Sequence, residues 1–308
     1  MNAAIRAVVR TSTYHGCSVV GIQRGFTGLL QNLFIPLQNH SVAQKISLGG
    51  TFLKSSRCPE FKSAETRSVA WQNMQQQGID SLVVIGGDGS FRGAELLVNE
   101  FGLPVVGIPG TIDNDIYGTD YTIGFDTAVN TAVQAVDKLR DTADSHNMVF
   151  FVEVMGRDAG FIALSTSIST GAEATLIPEL QTDIDKLCEY LELERRKNKT
   201  SGIIIVAEGQ EQGNATTVAA KVKERLPGYE TRVTTLGHIQ RGGAPTANDR
   251  ILASILGHDA VVALLEGKTG MMAGQVNNQT VFTPFHEACS RHSEINKRWV
   301  DIAYILSL

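Results

Sequence analysis

The chain lacks any Cys-x-x-Cys pair. Its four cysteines, Cys17, Cys58, Cys188 and Cys289, are scattered. That spacing argues against a disulfide framework or a cysteine zinc site and predicts reduced, cytosolic thiols. No apolar run approaches the ~20 residues of a membrane span, so no membrane partner is expected. The opening residues, Met1-Asn2-Ala3-Ala4-Ile5-Arg6, carry no secretion-signal pattern, and a cytoplasmic location is the expectation. Positive charge is not in excess either. With 27 Lys+Arg against 32 Asp+Glu, the net charge is −5, which argues against nucleic acid as the main ligand but leaves room for a local basic pocket for phosphates. Low-complexity segments, exact repeats and Pro/Ser-rich linkers are also missing, so any domains are interleaved through several chain crossings.

What is present is a globular chain of 308 residues, 43% hydrophobic and 19% charged, enough for two ordinary domains with real cores. Apolar spacing at Ala4, Ile5, Val8 and Val9 predicts a helix, with Arg6 and Arg10 on one face and Gly16 closing it. Short apolar runs predict strands at 18–22, 82–85, 105–108, 149–154, 202–206 and 230–236. Helices are predicted over 66–77, from 90 to about 100, 126–144, 161–169, 182–199, 216–226 and 248–266, with a last one from Lys297. Arg24-Gly25-Phe26-Thr27-Gly28 reads as a loop. The stretch from there to Glu60 is weakly patterned, and two polar strands are expected near Gln275 and Val281. Alternation of strand, polar loop and helix is the rhythm of a mostly parallel α/β sheet.

Five predicted strand ends run into polar loops: Gly86-Gly87-Asp88-Gly89-Ser90, Pro109-Gly110-Thr111-Ile112-Asp113-Asn114-Asp115, Met155-Gly156-Arg157-Asp158-Ala159-Gly160, Glu208, and Gly237-His238-Ile239-Gln240-Arg241-Gly242-Gly243. Ligands of open α/β sheets bind at such ends. The glycine loop lets backbone N–H groups approach a phosphate at a helix N-terminus. Its Asp88 suits a site where Mg²⁺ sits between acid and phosphate. Asp113 and Asp115 can hold a metal or accept a proton, although an Asx-rich turn with solvated acids has the same composition. Arg157, Arg232, Arg241 and His238 at loop edges favour an anion, since the guanidinium matches phosphate geometry.

Taken together, these motifs resemble the phosphofructokinase family, nearest its bacterial branch. Gly50-Thr51-Phe52-Leu53 and Ser56-Arg57-Cys58-Pro59-Glu60-Phe61 match as well, and the likeness runs in order along essentially the whole chain. The resemblance implies two Rossmann-like, three-layer α/β domains with mostly parallel sheets. The larger, nucleotide-binding one is expected over 1–124 and 240–290, the smaller, sugar-phosphate-binding one over 125–239 and 291–308. It also implies transfer of the γ-phosphoryl group of ATP to the 1-hydroxyl of fructose 6-phosphate, with Mg²⁺ as cofactor, in a homotetramer. Asp113 is then the base, Thr111 helps place the phosphoryl group, Asp115 supports the metal side, and Arg157 stabilises the transferring charge. Phe26, Arg57, Cys58, Gly87, Asp88, Gly89 and Ser90 fall at nucleotide positions, with Asp88 on the metal. Met148, Met155, Gly156, Glu208, Arg232, His238 and Arg241 fall at sugar-phosphate positions. Arg6, Arg10, Arg140, Gly171, Glu173, Lys197 and Lys199 match a subunit-interface site for an effector, ADP or phosphoenolpyruvate. One further effector position, often basic in the family, is Asn39. For the lysines, charge complementing a helix C-terminus is an equally available reading.

Donor choice follows from two small residues. The pyrophosphate-dependent branch carries a bulkier acid in place of Gly89 and a lysine in place of Gly110; two glycines favour ATP. Two departures bear on activity. The family pattern has a strand and a glycine-rich loop, roughly fifteen residues, ahead of the helix that opens here at Met1; without them a sheet ladder is left unpaired and the nucleotide loses a wall of donors. Met148 stands where the pattern has an arginine reaching the sugar's 6-phosphate across a subunit boundary. A thioether cannot pair with phosphate, and the lost contact weakens sugar binding by about 1.5–3 kcal/mol. Other readings are a catalytically weak paralogue serving as a regulatory subunit, a pyrophosphate-dependent kinase, or a diacylglycerol- or NAD-kinase-like enzyme. That last reading gives no reason for the 238–243 loop.

Overall fold

A computed structural model of the protein describes residues 1–196 and 201–307. In chain order its elements are α1 (Asn2–Tyr14), β1 (Val19–Ile22), α2 (Phe26–Leu30), β2 (Phe34–Leu37), α3 (Ala64–Gln76), β3 (Leu82–Gly86), α4 (Asp88–Phe101), β4 (Val105–Pro109) and α5 (Phe125–His146). There follow β5 (Met148–Val154), α6 (Phe161–Thr170), β6 (Ala174–Leu176), α7 (Ile184–Arg196), β7 (Gly202–Ala207), α8 (Ala215–Arg225) and β8 (Glu230–Thr235). The last are α9 (Ala247–Leu265), β9 (Met271–Val276), β10 (Gln279–Pro284), α10 (Phe285–Ser290) and α11 (Lys297–Ser307). Short 3₁₀ turns span Pro59–Lys62 and Gly237–Arg241.

These elements gather into two units. One comprises Met1–Thr111, Ile116–Gly124 and Gly243–Ser293; the other Ile112–Asp115, Phe125–Gly242 and Glu294–Leu308. The segment Ile112–Asp115 groups with the second unit because Ile112 is buried in the same cluster as Phe125, Val152 and Ile162.

In the first unit the main sheet runs β10-β9-β4-β3. Strand β4 pairs in parallel with β3 and β9, and β10 turns back antiparallel. Alternation along the strands sends Leu82, Val105 and Met272 to a core with residues of α3, α4 and α10. It sends Val106, Ile108 and Ala273 to a core with α1 and α9 on the other face. The α1–α9 contact is close because it is built from small residues. A Cβ on Gly257 would stand 2.7 Å from the Ala7 Cβ and 2.8 Å from the Ala4 carbonyl. On the other face, Arg67 of α3 donates to Glu100 of α4 (Nε–Oε2 2.7 Å) and to the carbonyls of Phe61 and Lys62, tying that turn to α4. Strand β3 ends the sheet, and its outer edge pairs with no other strand among the described residues.

In the second unit the sheet is wholly parallel, β6-β7-β5-β8. Phe150, Val152, Val154, Ile203 and Ile205 face the α5/α6 core, while Val149, Phe151, Ile204 and Val206 face α7 and α8. Both units are therefore three-layered.

Several elements differ from the sequence expectations. Residues 26–30, read as the end of the Arg24–Gly28 loop and the start of the weakly patterned stretch, form α2 after Gly25 turns the chain. Strand β2 lies in the weakly patterned stretch; it contains Pro36, which is tolerated because, among the described residues, β2 pairs with β1 alone. Strand β6 is three residues long and α10 six, both too short for periodicity to register. Helix α7 starts at Ile184, two residues later than predicted.

Candidate active site

Parallel strands bring their carboxyl ends to one edge of a sheet, and in each unit polar loops sit there. In the first unit Gly86 at the end of β3 is opposite Pro109 at the end of β4, and the Gly110 N–H donates to the Gly86 carbonyl at 2.9 Å. The Gly86–Ser90 and Pro109–Thr111 loops thus leave the sheet side by side. Gly87 is the extended residue before α4 and Asp88 the first residue within it, so this loop feeds a helix N-terminus, where the dipole favours an anion. The Asp88 Oδ2 lies 3.5 Å from Arg92 Nη2, and its side chain is 38% exposed. Phe26 stacks on Phe61 with centroids 4.1 Å apart, in the turn that Cys58 precedes, and its ring lies against Gly93 of α4. Arg57 beside Cys58 is exposed. The Thr111 carbonyl accepts the Thr122 hydroxyl at 2.7 Å.

A buried thiol of α10 sits against the start of α4. Cys289 donates to the Asp88 carbonyl at 3.5 Å, and burial pushes its thiol up to about 11. Burial also raises Cys188, whereas Cys17 is exposed. Since the thiolate is the nucleophile, a raised pKa means less reactive anion at neutral pH. Iodoacetamide at pH 7.5 should label Cys17 first and leave Cys188 and Cys289 unlabelled until the protein is denatured, as peptide mass mapping would show.

In the second unit β7, β5 and β8 are adjacent, and three polar ends meet. The Glu208 N–H donates to the Val154 carbonyl and the Leu236 N–H to the Glu153 carbonyl, each at 3.0 Å. Between them the Met155–Ala159 turn projects from β5. Gly156 has φ +147 and Arg157 φ +54, a left-handed conformation uncommon for a side chain of that size. The turn closes with the Ala159 N–H donating to the Gly156 carbonyl at 3.0 Å. It is held from both sides. The Arg157 N–H donates to Glu208 Oε1, and the Met155 N–H donates to Gln240 Oε1, each at 2.9 Å. Gly209 is needed at the close approach, since a Cβ there would stand 2.0 Å from the Arg157 carbonyl.

This turn aims Arg157 at Asp113. Arg157 Nε lies 3.4 Å from Asp113 Oδ2; the acid is 2% exposed at its side chain and the arginine 57%. Asn114, buried beside it at φ +57, lets the Asp113–Asp115 segment turn sharply, as asparagine tolerates. Asp115 is half-buried. A buried carboxylate with a cation on its solvent side can accept a proton while the cation meets developing negative charge.

Of the sugar-phosphate positions, Met155, Gly156, Arg157, Glu208, His238 and Arg241 are thus gathered at one sheet edge, with Met155 buried and His238 and Arg241 exposed on the Gly237–Arg241 turn. Met148 and Arg232 are not. Met148 opens β5, about 23 Å from Met155 at ~3.3 Å per residue, and packs half-buried against the α5/α6 core. Arg232 is exposed, opposite Phe150 on β8, and pairs with Glu230. Arg140, Gly171 and Glu173 form a separate group at the end of α6. Arg140 donates to the carbonyls of Thr170 (2.9 Å) and Gly171 (3.1 Å), and its Nη1 lies 3.4 Å from Glu173 Oε1. Arg6 and Arg10 lie on α1 in the first unit, and Lys197 and Lys199 fall outside the described residues. Gln240 is a residue the sequence reading did not single out. Nothing in Gly237-His238-Ile239-Gln240-Arg241 distinguishes a buried amide from an exposed one.

No group of three or more His, Cys, Asp or Glu among the described residues could hold a metal unaided. Asp88 alone is nonetheless an adequate donor for Mg²⁺ that arrives with a nucleotide, because that ion commonly takes one or two carboxylates plus phosphate oxygens and water.

A family model described as Phosphofructokinase matches residues 1–264. The ATP-dependent 6-phosphofructokinase 1 of Thermus thermophilus is 53% identical over 308 residues, covering 100% of this chain and 95% of that protein. The ATP-dependent 6-phosphofructokinase 2 of Bacteroides thetaiotaomicron is 50% identical over 308 residues, covering 100% and 94%. Among solved structures, Pichia pastoris phosphofructokinase in the T-state aligns with a TM-score of 0.88 at 38% identity. That alignment covers 94% of this chain but 34% of the Pichia chain, so this protein spans about a third of that one.

Proposed function

The chain belongs to the phosphofructokinase family, and from that premise we propose that it moves the γ-phosphoryl group of ATP to the 1-hydroxyl of fructose 6-phosphate, giving ADP and fructose 1,6-bisphosphate. The observation that carries this reading is the buried Asp113 with Arg157 3.4 Å away at the carboxyl ends of parallel strands. In this reading the hydroxyl oxygen attacks the γ-phosphorus, the bond to the ADP oxygen breaks, and the hydroxyl proton passes to the Asp113 carboxylate. Arg157 faces the charge on the phosphoryl oxygens, and Thr111 and Asp115 flank the base in the chain. His238, Arg241, Glu208 and the Met155–Gly156 backbone hold the sugar phosphate. Phe26, Arg57, Cys58 and Gly87–Ser90 hold the nucleotide. Mg²⁺, when bound with the nucleotide at Asp88, neutralises phosphate charge. Phosphorus NMR of the product tests the proposal: a new phosphomonoester on C1 is expected, and phosphate at any other carbon or in solution would sink it.

The glycines support ATP over pyrophosphate as donor. A Cβ on Gly89 would meet nothing within 4 Å, so there is open space beside it that a nucleotide can use, whereas one on Gly110 would crowd Ile85 Cγ2 at 3.2 Å. Gly89→Asp should raise the KM for ATP at least tenfold by placing a second acid beside Asp88. The same acid lies in the first turn of α4, where it favours the helix dipole, so the melting temperature should not fall. Kinetics and thermal unfolding of one variant check both halves.

Met148 and Arg232 lie too far along β5 and β8 to share a ligand with Arg157 of the same chain. Their positions suit contact with a sugar phosphate bound by another copy, although the Met148 thioether itself cannot pair with phosphate; such a site shared between copies is the reason for proposing a homotetramer. Met148→Arg should then lower the KM for fructose 6-phosphate by roughly ten- to a hundredfold, the equivalent of one charge-assisted hydrogen bond. An unchanged KM would remove Met148 from the site. The Arg140–Gly171–Glu173 group is proposed as part of an anion effector site for ADP or phosphoenolpyruvate. No helix among the described residues is long and apolar enough to cross a membrane; the four free cysteines suit the proposed cytoplasmic location.

A further inference from the structure

We propose that Gln240 is a positioning residue of the acceptor site, acting through Arg157. The inference rests on the function proposed above. Gln240 is 1% exposed. Its Oε1 accepts the Met155 N–H at 2.9 Å, and its Nε2 is buried with no hydrogen-bond partner among the described residues. Because the group facing it is a donor, the amide oxygen must point at Met155, and the amide cannot flip to satisfy its nitrogen instead. The side chain thus sits in an orientation that serves Met155 and leaves its own donor unmet, at a cost of the size of a lost buried hydrogen bond. Groups left unmet in this way call for a reason other than stability.

That reason is the turn Met155 begins. Arg157 holds a left-handed φ of +54 and Gly156 a φ of +147. Such backbone persists only where the surroundings over-determine it. Two side chains do so, one from each flanking strand end: Glu208 on the Arg157 N–H and Gln240 on the Met155 N–H. Without the Gln240 oxygen the turn has one tether, and Arg157 loses its fixed aim at Asp113. Gln240 also lies between His238 and Arg241 on the Gly237–Arg241 turn, so its bond joins the two loops that carry the acceptor side.

The test is a double-mutant cycle of Gln240→Met with Arg157→Ala. Methionine keeps the volume and removes both polar atoms. In the otherwise native chain Gln240→Met should lower kcat ten- to a hundredfold with the KM for ATP within twofold. In the Arg157→Ala background it should lower kcat less than twofold, because coupled residues are non-additive. The melting temperature should hold or fall slightly, since the unmet Gln240 donor is removed but the buried Met155 N–H loses its acceptor. Hydrogen exchange at the Met155 and Arg157 amides should quicken at least tenfold. A kcat within twofold of native, or an equal loss in both backgrounds, overturns the proposal. A native chain that fails to phosphorylate fructose 6-phosphate overturns the functional reading instead, and amide exchange then decides the positioning role alone: unchanged protection at Met155 and Arg157 overturns it.

Discussion

Replacing Asp113 with asparagine should lower kcat by about 10³-fold, within the 10²–10⁴ typical of a general base and equal to ~4 kcal/mol in the barrier at 1.36 kcal/mol per decade. The amide keeps the shape of the carboxylate and its place beside Ile112 in the second unit's core, so binding should survive: KM values for ATP and fructose 6-phosphate should move less than threefold. Arg157, which is largely exposed, can be hydrated when its partner loses charge, so the melting temperature should change little. An ADP-release assay over a range of both substrates separates these effects. A kcat reduced less than tenfold would mean that another group takes the proton.

The second large effect belongs to Arg157. Arg157→Ala removes the cation 3.4 Å from Asp113 and should cost about 10²–10³ in kcat, the loss seen when a donor aimed at developing negative charge is deleted. This position also carries strain. Alanine inherits the left-handed φ of +54, which costs an L-residue ~1–2 kcal/mol, whereas glycine adopts it freely. Arg157→Gly should therefore be as inactive as Arg157→Ala yet unfold at a higher temperature. Calorimetry of the pair isolates the backbone term, because both have lost the same side chain. Equal melting temperatures would show that the turn is unstrained.

The sites lie at strand ends, and strand ends were legible. Leu82–Ile85, Val105–Ile108 and Val149–Val154 are short, largely apolar runs, buried or partly buried along their length, and a polar loop following such a run can be placed at a sheet edge with no other information. What the sequence does not carry is which strands are neighbours. The convergence of Glu208, Arg157 and Gln240 depends on the order β7-β5-β8, in which the middle strand comes first in the chain. Burial of side chains outside regular elements was equally hidden. Asp113 and Gln240 are each about 1% exposed although both lie among polar residues. The Ile112–Asp115 segment falls within the first domain as read from sequence, yet groups with the second unit, because Ile112 alone anchors it there. Met148 shows the reverse limit: the motif that names it says nothing of its position at the far end of β5 from Arg157.

The measurement that tests the central claim most directly is steady-state ADP release from MgATP, with and without fructose 6-phosphate, beside a parallel assay with pyrophosphate as donor. The account predicts ADP formation that requires the sugar phosphate, one fructose 1,6-bisphosphate per ADP, and no turnover with pyrophosphate. Turnover that uses pyrophosphate, or no turnover with either donor, would contradict it.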